Sequence, residues 1–233
     1  MTPVPPYPAG GAGTGGLGSS RGPGGVRVWR VRLDGAGAPR GWRLLSGAER
    51  ERALALADPA ERRRYVVAHA ALRTVLAGPC GVPPGRLGFG RDDSGRPCLL
   101  SPDGRPVPDF NLSHSDAWAL VAVAPPGARV GVDVERVRDG FDHLEMARRF
   151  YQPEEVARLP SAGPEGFFRL WTAKEAYIKA SGAGLAGMGD VLVREGSATH
   201  ATVLSRSARF PECRVRWLDV APGYTAALVT PPG

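Results

Sequence analysis

An α+β fold of two similar lobes, preceded by a disordered Gly/Pro-rich tail, is predicted by three observations. Each half of the 233-residue chain combines one long helical pattern with several short alternating strands. Gly, Pro and Asp turns punctuate those strands. Residues 1–25 hold 9 Gly and 5 Pro and almost nothing to bury, so burial there cannot offset the entropy of ordering. The predicted division is a tail over 1–25, an N-terminal lobe over 26–113 and a C-terminal lobe over 114–233 that carries a metal site.

The elements follow in order. Residues 26–33, VRVWRVRL, alternate apolar residues with arginine and predict a half-buried strand. Residues 46–57 open on Ser46, a helix N-cap candidate. Asp58-Pro59 starts a second, longer helix that runs to Gly78, with Tyr65, Ala68, Leu72, Val75 and Leu76 at helical spacing. Short strands are predicted at 87–89, 97–100 and 109–112. In the second half, 117–124 and 130–137 read as strands. Residues 144–151, 153–159 and 164–181 read as helices, and 190–193, 213–220 and 224–230 as strands. No internal sequence repeat accompanies the two-lobe pattern.

Composition excludes several classes. No apolar run reaches the roughly 18 residues of a membrane helix. Residues 1–25 contain no apolar core of a secretory signal. Cys80, Cys98 and Cys213 are odd in number and far apart, which supports neither a disulfide framework nor a zinc knot. The expected compartment is therefore the cytoplasm. Net charge is +7, which favours acidic partners without choosing among them. Arginine supplies that charge almost alone: the two lysines are Lys174 and Lys179, and the single asparagine is Asn111.

Four motifs carry chemistry. In GVDVER, 131–136, a strand places Asp133 and Glu135 on one face. Two carboxylates so placed repel unless a cation holds them, and hard oxygen ligands suit Mg²⁺. A solvated strand face is the plainer explanation of D-x-E alone. In FFRLWTAKEAYIKASGAG, 167–184, Trp171, Glu175 and Lys179 lie along one side of a helix. That helix is too apolar for a mere surface Glu–Lys pair, and a lysine serves as a compact donor to a phosphoryl oxygen. In FNLSHSDAW, 110–118, Ser113 and His114 are candidate phosphate contacts, with a capped turn as the plainer alternative. Arg50, Arg52, Arg62, Arg63, Arg64 and Arg96 form a basic group suited to a phosphorylated ligand, or a solvated face.

Taken together, GVDVE, WTAKEAYIK, FNLSHS and GRPC resemble the 4′-phosphopantetheinyl transferases of the Sfp type in content, order and spacing over about residues 46–230. The resemblance implies two α+β lobes related by a pseudo-twofold axis, with coenzyme A in the cleft between them. It implies transfer of the phosphopantetheine arm to a serine of an acyl or peptidyl carrier protein, leaving adenosine 3′,5′-bisphosphate. Asp133, Glu135 and Glu175 match the metal carboxylates of that family. Lys179 matches its pyrophosphate lysine, Ser113 and His114 its phosphate contacts, and Arg96 a basic cofactor contact. Arg52 lies where the family places a contact to the 3′-phosphate. Glu175 and Glu155 are the candidate general bases. Glu49 and Tyr65 depart from the pattern, and Arg50 would have to stand in for a basic residue at 49.

The implied partners are coenzyme A and a carrier protein of polyketide or nonribosomal peptide synthesis, docked in part on 136–151 with Phe141 and Met146 as apolar contacts. Neither nucleic acid nor membrane has a part, and the chain is expected to act as a monomer. The competing readings are a Mg²⁺-dependent nuclease and a non-enzymatic nucleic-acid-binding protein. The nuclease gives NLSHS and GRPC no role, and the binding protein would lack a recognisable reader motif in a chain only 7% aromatic.

Overall fold

The computed structural model describes residues 18–21, 23–34, 38–101, 103–206 and 210–232. Strands β1 (Gly18–Arg21) and β2 (Arg27–Arg32) lead into short α1 (Ala38–Gly41), α2 (Gly47–Leu54) and the long α3 (Pro59–Cys80). A small hairpin, β3 (Phe89–Arg91) and β4 (Pro97–Leu99), precedes β5 (Asp109–Ser115) and β6 (Trp118–Ala124). The second half runs β7 (Gly131–Arg136), α4 (His143–Phe150), α5 (Pro153–Val156) and α6 (Leu159–Ser181). It ends with β8 (Val191–Glu195), β9 (His200–Ser205), β10 (Cys213–Trp217) and β11 (Tyr224–Thr230).

Both halves have the expected composition, an antiparallel sheet covered by one long helix. The first sheet has the order β1-β2-β6-β5 and the second β7-β11-β10-β9-β8. Trp29, Val31, Phe110 and Val121 of the first sheet pack on Val67, Leu72 and Leu76 of α3. Phe167, Tyr177 and Ile178 of α6 pack on Val191, Val203, Val215 and Val229 of the second. A third apolar cluster, with Val28, Leu120 and Ala122 against Val132, Val134 and Leu228, joins the sheets. Such a shared core makes the halves one folding unit.

Helix boundaries obey their capping chemistry. Ser46 and Glu49 form a reciprocal capping box on α2, Ser46 Oγ accepting from Glu49 N at 3.3 Å. Asp58 caps α3 by accepting from Ala60 N at 2.9 Å, with Pro59 at the first helical position. A backbone kink at Gly163 separates the first residues of α6 from the 164–181 segment predicted as a helix.

Three expectations are corrected. The tail does not extend to residue 25: residues 1–17 lie outside the described residues, but β1 pairs with β2 from Gly18↔Arg30 to Arg21↔Arg27. A strand needs backbone partners more than apolar side chains, so a Gly/Ser-rich segment can add to an open edge. The lobe boundary after Ser113 falls inside β5, and β6 pairs with both β2 and β5. The hydrogen-bonded division therefore lies in the 125–130 turn. Finally, β9 is an additional strand, paired with β8 and β10.

The junction of the two sheets positions the site. Polar side chains of β5, at every second residue, replace a backbone ladder along the edge of β7. Asp109 Oδ2 accepts from Val130 N at 2.9 Å, Asn111 Oδ1 from Val132 N at 2.9 Å, Ser113 Oγ from Val134 N at 3.4 Å and Ser115 Oγ from Arg136 N at 3.1 Å. The period of two that aims these groups at β7 is the strand's own. On the other side of β7, Gly131 lets α6 approach closely. A Cβ there would overlap the Ala176 carbonyl oxygen and lie 2.9 Å from both the Ala176 carbonyl carbon and Ala180 N.

Candidate active site

These two contacts, β5 on one edge of β7 and α6 across its face, bring five predicted residues together. Asp133 is only 2% exposed. Its Oδ1 accepts from Lys179 Nζ at 2.5 Å and from Ser113 Oγ at 2.7 Å, while Lys179 Nζ also donates to Ser113 Oγ at 3.0 Å. Two residues on, Glu135 Oε2 accepts from Ser115 Oγ at 2.6 Å. Glu175, one helical turn before Lys179, shares their electrostatic neighbourhood. The solvated-face reading of GVDVER is thus corrected for Asp133, which is buried and paired.

The charges in this cluster are unbalanced. Burial pushes the Glu175 carboxyl up; Lys179 opposes this, and Asp133 and Glu135 add to it. Burial also raises Glu135, against its Ser115 hydrogen bond and with the help of Asp133. For Lys179, burial alone would lower the ammonium, but Asp133, Glu175 and Glu135 together hold it above its ordinary value. Three carboxylates face one ammonium, with Arg138 reaching Glu135 from the rim at 4.0 Å, and Glu135 and Glu175 hold protons more tightly than ordinary carboxylates.

Asp133 Oδ2 is buried and without a hydrogen-bond partner among the described residues. An orphaned carboxylate oxygen with two further carboxylates nearby is a hard-oxygen donor set of the kind that receives Mg²⁺. Among the described residues no group of three or more His, Cys, Asp or Glu side chains is placed to hold a metal ion. Lys179 is the cation paired with Asp133.

A groove of about 290 Å³ opens beside this cluster. Glu175, Ile178 and Lys179 of α6, Asn111 of β5, Leu185 and the Ser94–Pro97 turn line it. His114 stands exposed at the end of β5. Partial withdrawal from water holds its imidazole below the ordinary value, and the positive charges of His69, Lys179 and Arg64 reinforce that against Asp133. His114 thus lies within electrostatic reach of both Lys179 and Asp133. Ser113 faces inward, on Asp133 and Lys179.

Two predicted site residues have their polar atoms engaged within the protein. Glu155 is not brought to the cluster. It is 1% exposed, its Oε1 accepts from Val193 N at 2.9 Å, and its Oε2 accepts from Gln152 N at 2.9 Å and pairs with Lys174 Nζ at 2.7 Å. Lys174 spends its remaining reach on the Val191 carbonyl. With every oxygen engaged inside the core, Glu155 has no access to a substrate proton, and Lys174 none to a phosphoryl group.

Arg96 is likewise buried. Its guanidinium pairs with Asp109 and donates to the Lys179 carbonyl at 2.7 Å, the Phe110 carbonyl at 2.9 Å and the Val130 carbonyl at 2.7 Å. It ties the β3–β4 turn, β5, the start of β7 and the end of α6 to one another, and it also forms part of the groove wall.

The basic group predicted on the first helices is only partly free. Arg52 is exposed on α2 and acts electrostatically on Tyr65. Arg50 donates to the Trp42 carbonyl at 3.2 Å. Glu49 is turned inward, where Arg73 Nε donates at 2.8 Å and His69 lies at 3.3 Å. Tyr65 stacks on His69 with ring centroids 4.0 Å apart. Sequence reasoning missed Ser115 and Asn111 as members of the site. The alternating D-x-N-x-S-x-S run over 109–115 was the available signal.

Residues 129–229 match the 4′-phosphopantetheinyl transferase superfamily. The chain is 37% identical over 175 residues to the 4′-phosphopantetheinyl transferase HetI of Nostoc sp. PCC 7120, covering 71% of this chain and 72% of that protein. It is 30% identical over 177 residues to the transferase psf-1 of Bacillus pumilus, covering 73% and 72%. Against the transferase Sfp of Bacillus subtilis 168 it is 27% identical over 205 residues, covering 80% and 87%. No described helix is long and apolar enough to cross a membrane.

Proposed function

Since the chain belongs to the 4′-phosphopantetheinyl transferase superfamily and is an enzyme of that kind, we propose that it moves the phosphopantetheine arm of coenzyme A to a carrier-protein serine, with Mg²⁺ as cofactor. The observation that carries this reading is the Asp133–Lys179–Ser113 junction with Glu135 and Glu175 around it. It supplies surplus negative charge for a divalent cation and a fixed positive charge for a phosphate in one place.

In the step proposed, the serine hydroxyl oxygen bonds to the phosphorus next to pantetheine. The bond from that phosphorus to the bridging oxygen breaks, and adenosine 3′,5′-bisphosphate leaves. The serine proton goes to Glu175, which stands one helical turn from Lys179 in the groove. Lys179 remains charged at neutral pH, and its ammonium offsets charge that develops on the phosphoryl oxygens. Asp133 and Ser113 hold that ammonium in position. A divalent cation held by Asp133, Glu135 and Glu175 would neutralise the pyrophosphate and its leaving oxygen. Asp133 Oδ2, buried and unpartnered, fits that role.

A second groove supports a docking face for the carrier. Glu135, Arg138, Phe141, Met146 and Trp171 line it, within and beside the 136–151 segment. Its aromatic floor and the exposed Arg148 and Arg149 of α4 suit an acidic partner that presents a small apolar patch. The net charge of +7 would speed that encounter. The Sfp-type resemblance favours carriers of polyketide or nonribosomal peptide synthesis, and a monomer in the cytoplasm completes the reading. The test is Asp133→Ala assayed with coenzyme A, Mg²⁺ and an apo carrier: transfer is abolished while the circular dichroism stays native. Near-wild-type turnover at low Mg²⁺ would overturn the metal assignment.

A further inference from the structure

We propose that Thr225 is a positioning residue: its hydroxyl donates to the Glu135 carboxylate once that group turns to a divalent cation. The inference rests on the cation reading above and extends it to a residue with no role there. Thr225 pairs with Glu135 across the β7–β11 ladder. In the same ladder Ala227 pairs with Asp133 and packs towards α6, whereas Ala226 and Leu228 point into the cluster between the sheets. Strand alternation therefore puts Thr225 on the face that carries both carboxylates. Directly opposed side chains of an antiparallel pair have Cβ atoms about 5 Å apart, within reach of a hydrogen bond from a hydroxyl to a Glu carboxylate.

Both groups are short of a partner. Thr225 Oγ1 is buried and makes no hydrogen bond to any described residue. Ser115 at 2.6 Å and Arg138 at 4.0 Å both address Oε2 of Glu135, so Oε1 accepts nothing from the described residues. Glu135 thus stands between two hydroxyls, Ser115 from β5 and Thr225 from β11, and uses one. A buried hydroxyl without a partner carries a desolvation cost with no compensating contact. Valine has the same shape and at least the same preference for a strand, so packing alone gives no reason for the hydroxyl. Carboxylates that ligate a cation are themselves held by hydrogen bonds from an outer layer of donors. Ser115 and Thr225 together supply that layer for Glu135.

Calorimetric titration of Mn²⁺ into the full chain, with coenzyme A bound and no carrier present, reads cation affinity apart from turnover. Thr225→Val should weaken Mn²⁺ binding roughly tenfold or more, the scale for an outer partner of a metal ligand. Its melting temperature without Mn²⁺ should hold or rise, because the variant removes a buried hydroxyl that has no partner. Thr225→Ser, which keeps the hydroxyl, should restore most of the affinity. Wild-type Mn²⁺ affinity in Thr225→Val, or a serine variant that binds no tighter than the valine one, would overturn the assignment and leave the cation reading intact. So would a lower melting temperature for Thr225→Val, which would show the hydroxyl already bonded without a cation. If the wild type with coenzyme A bound takes up no Mn²⁺, the cation reading falls and this inference with it.

Discussion

Replacing Gly131 by alanine tests how the fold delivers the site. The added Cβ would overlap the Ala176 carbonyl oxygen and lie 2.9 Å from Ala180 N, where ordinary contact begins at 3.4 Å. Both obstacles are backbone atoms of α6, so neither can rotate aside. The helix must retreat from β7 by at least about 0.5 Å at Ala180, and by more at the carbonyl oxygen. Overpacking of this kind costs roughly 1–3 kcal/mol. For a chain of this size that lowers the melting temperature by about 3–10 °C.

The same retreat separates Lys179 Nζ from Asp133 Oδ1, now 2.5 Å apart, and carries Glu175 away from both β7 carboxylates. A misplacement approaching 1 Å can cost around a hundredfold in rate. Gly131→Ala should therefore lose at least tenfold in kcat for phosphopantetheine transfer. Differential scanning calorimetry and steady-state transfer to an apo carrier, at a temperature where the variant is folded, read the two effects. A variant with wild-type melting and wild-type kcat would refute the claim that close approach of α6 to β7 sets the site.

Three further outcomes follow from the same contacts. Glu155→Ala leaves Lys174 charged in the core and should destabilise by roughly 3–5 kcal/mol in chemical denaturation, with kcat of the folded protein nearly unchanged; a hundredfold loss of kcat at unchanged stability would restore Glu155 as the base. Burial alone would raise Glu49, but hydrogen bonds from His69, Arg73 and Ser46 override it and hold the carboxyl at about 2, below the ordinary 4.5. Because the folded value is the lower one, Glu49 contributes roughly 3 kcal/mol above pH 4.5. That contribution fades as pH falls from 4.5 towards 2, so the stability gap between wild type and Glu49→Gln should close over this window in urea titrations; a gap independent of pH would contradict it. Truncation through Arg21 removes β1 from the edge of β2 and should lower the melting temperature by several degrees relative to truncation through residue 17; equal melting would show that β1 contributes nothing.

Local periodicity made much of the fold legible. The alternation in VRVWRVRL and GVDVER, and the helical spacing after Pro59 and Pro164, placed β2, β7, α3 and α6 within a few residues. Asp133 and Lys179 were legible because each stands in a motif whose spacing fixes its face. What the sequence concealed is long-range partnership. Arg96 and Glu155 carry the charge a ligand contact or a base needs, yet Asp109 and Lys174, distant in sequence from each, consume it. Lys174 and Lys179 are five positions apart on one helix, so they face different surroundings, one the core and one the cleft. The lobe boundary was misplaced because β6 pairs backward to β2 across most of the first lobe. No local pattern records such a pairing. The β1 strand escaped notice because its Gly/Ser-rich sequence shows no apolar alternation.

The central claim is that the Lys179 ammonium, held by Asp133 and Ser113, works on a phosphoryl group in transfer to a carrier serine. Its most direct test is mass spectrometry of an apo carrier incubated with coenzyme A, Mg²⁺ and either wild-type enzyme or Lys179→Ala, with coenzyme A affinity measured separately by calorimetry. Wild type should add one phosphopantetheine to the carrier serine. Lys179→Ala should lower kcat by roughly a hundredfold or more, the scale of a lost charge-stabilising donor, while coenzyme A affinity changes far less. An unmodified carrier in the presence of bound coenzyme A would contradict the account, as would a variant whose kcat is unchanged and whose coenzyme A affinity alone has fallen.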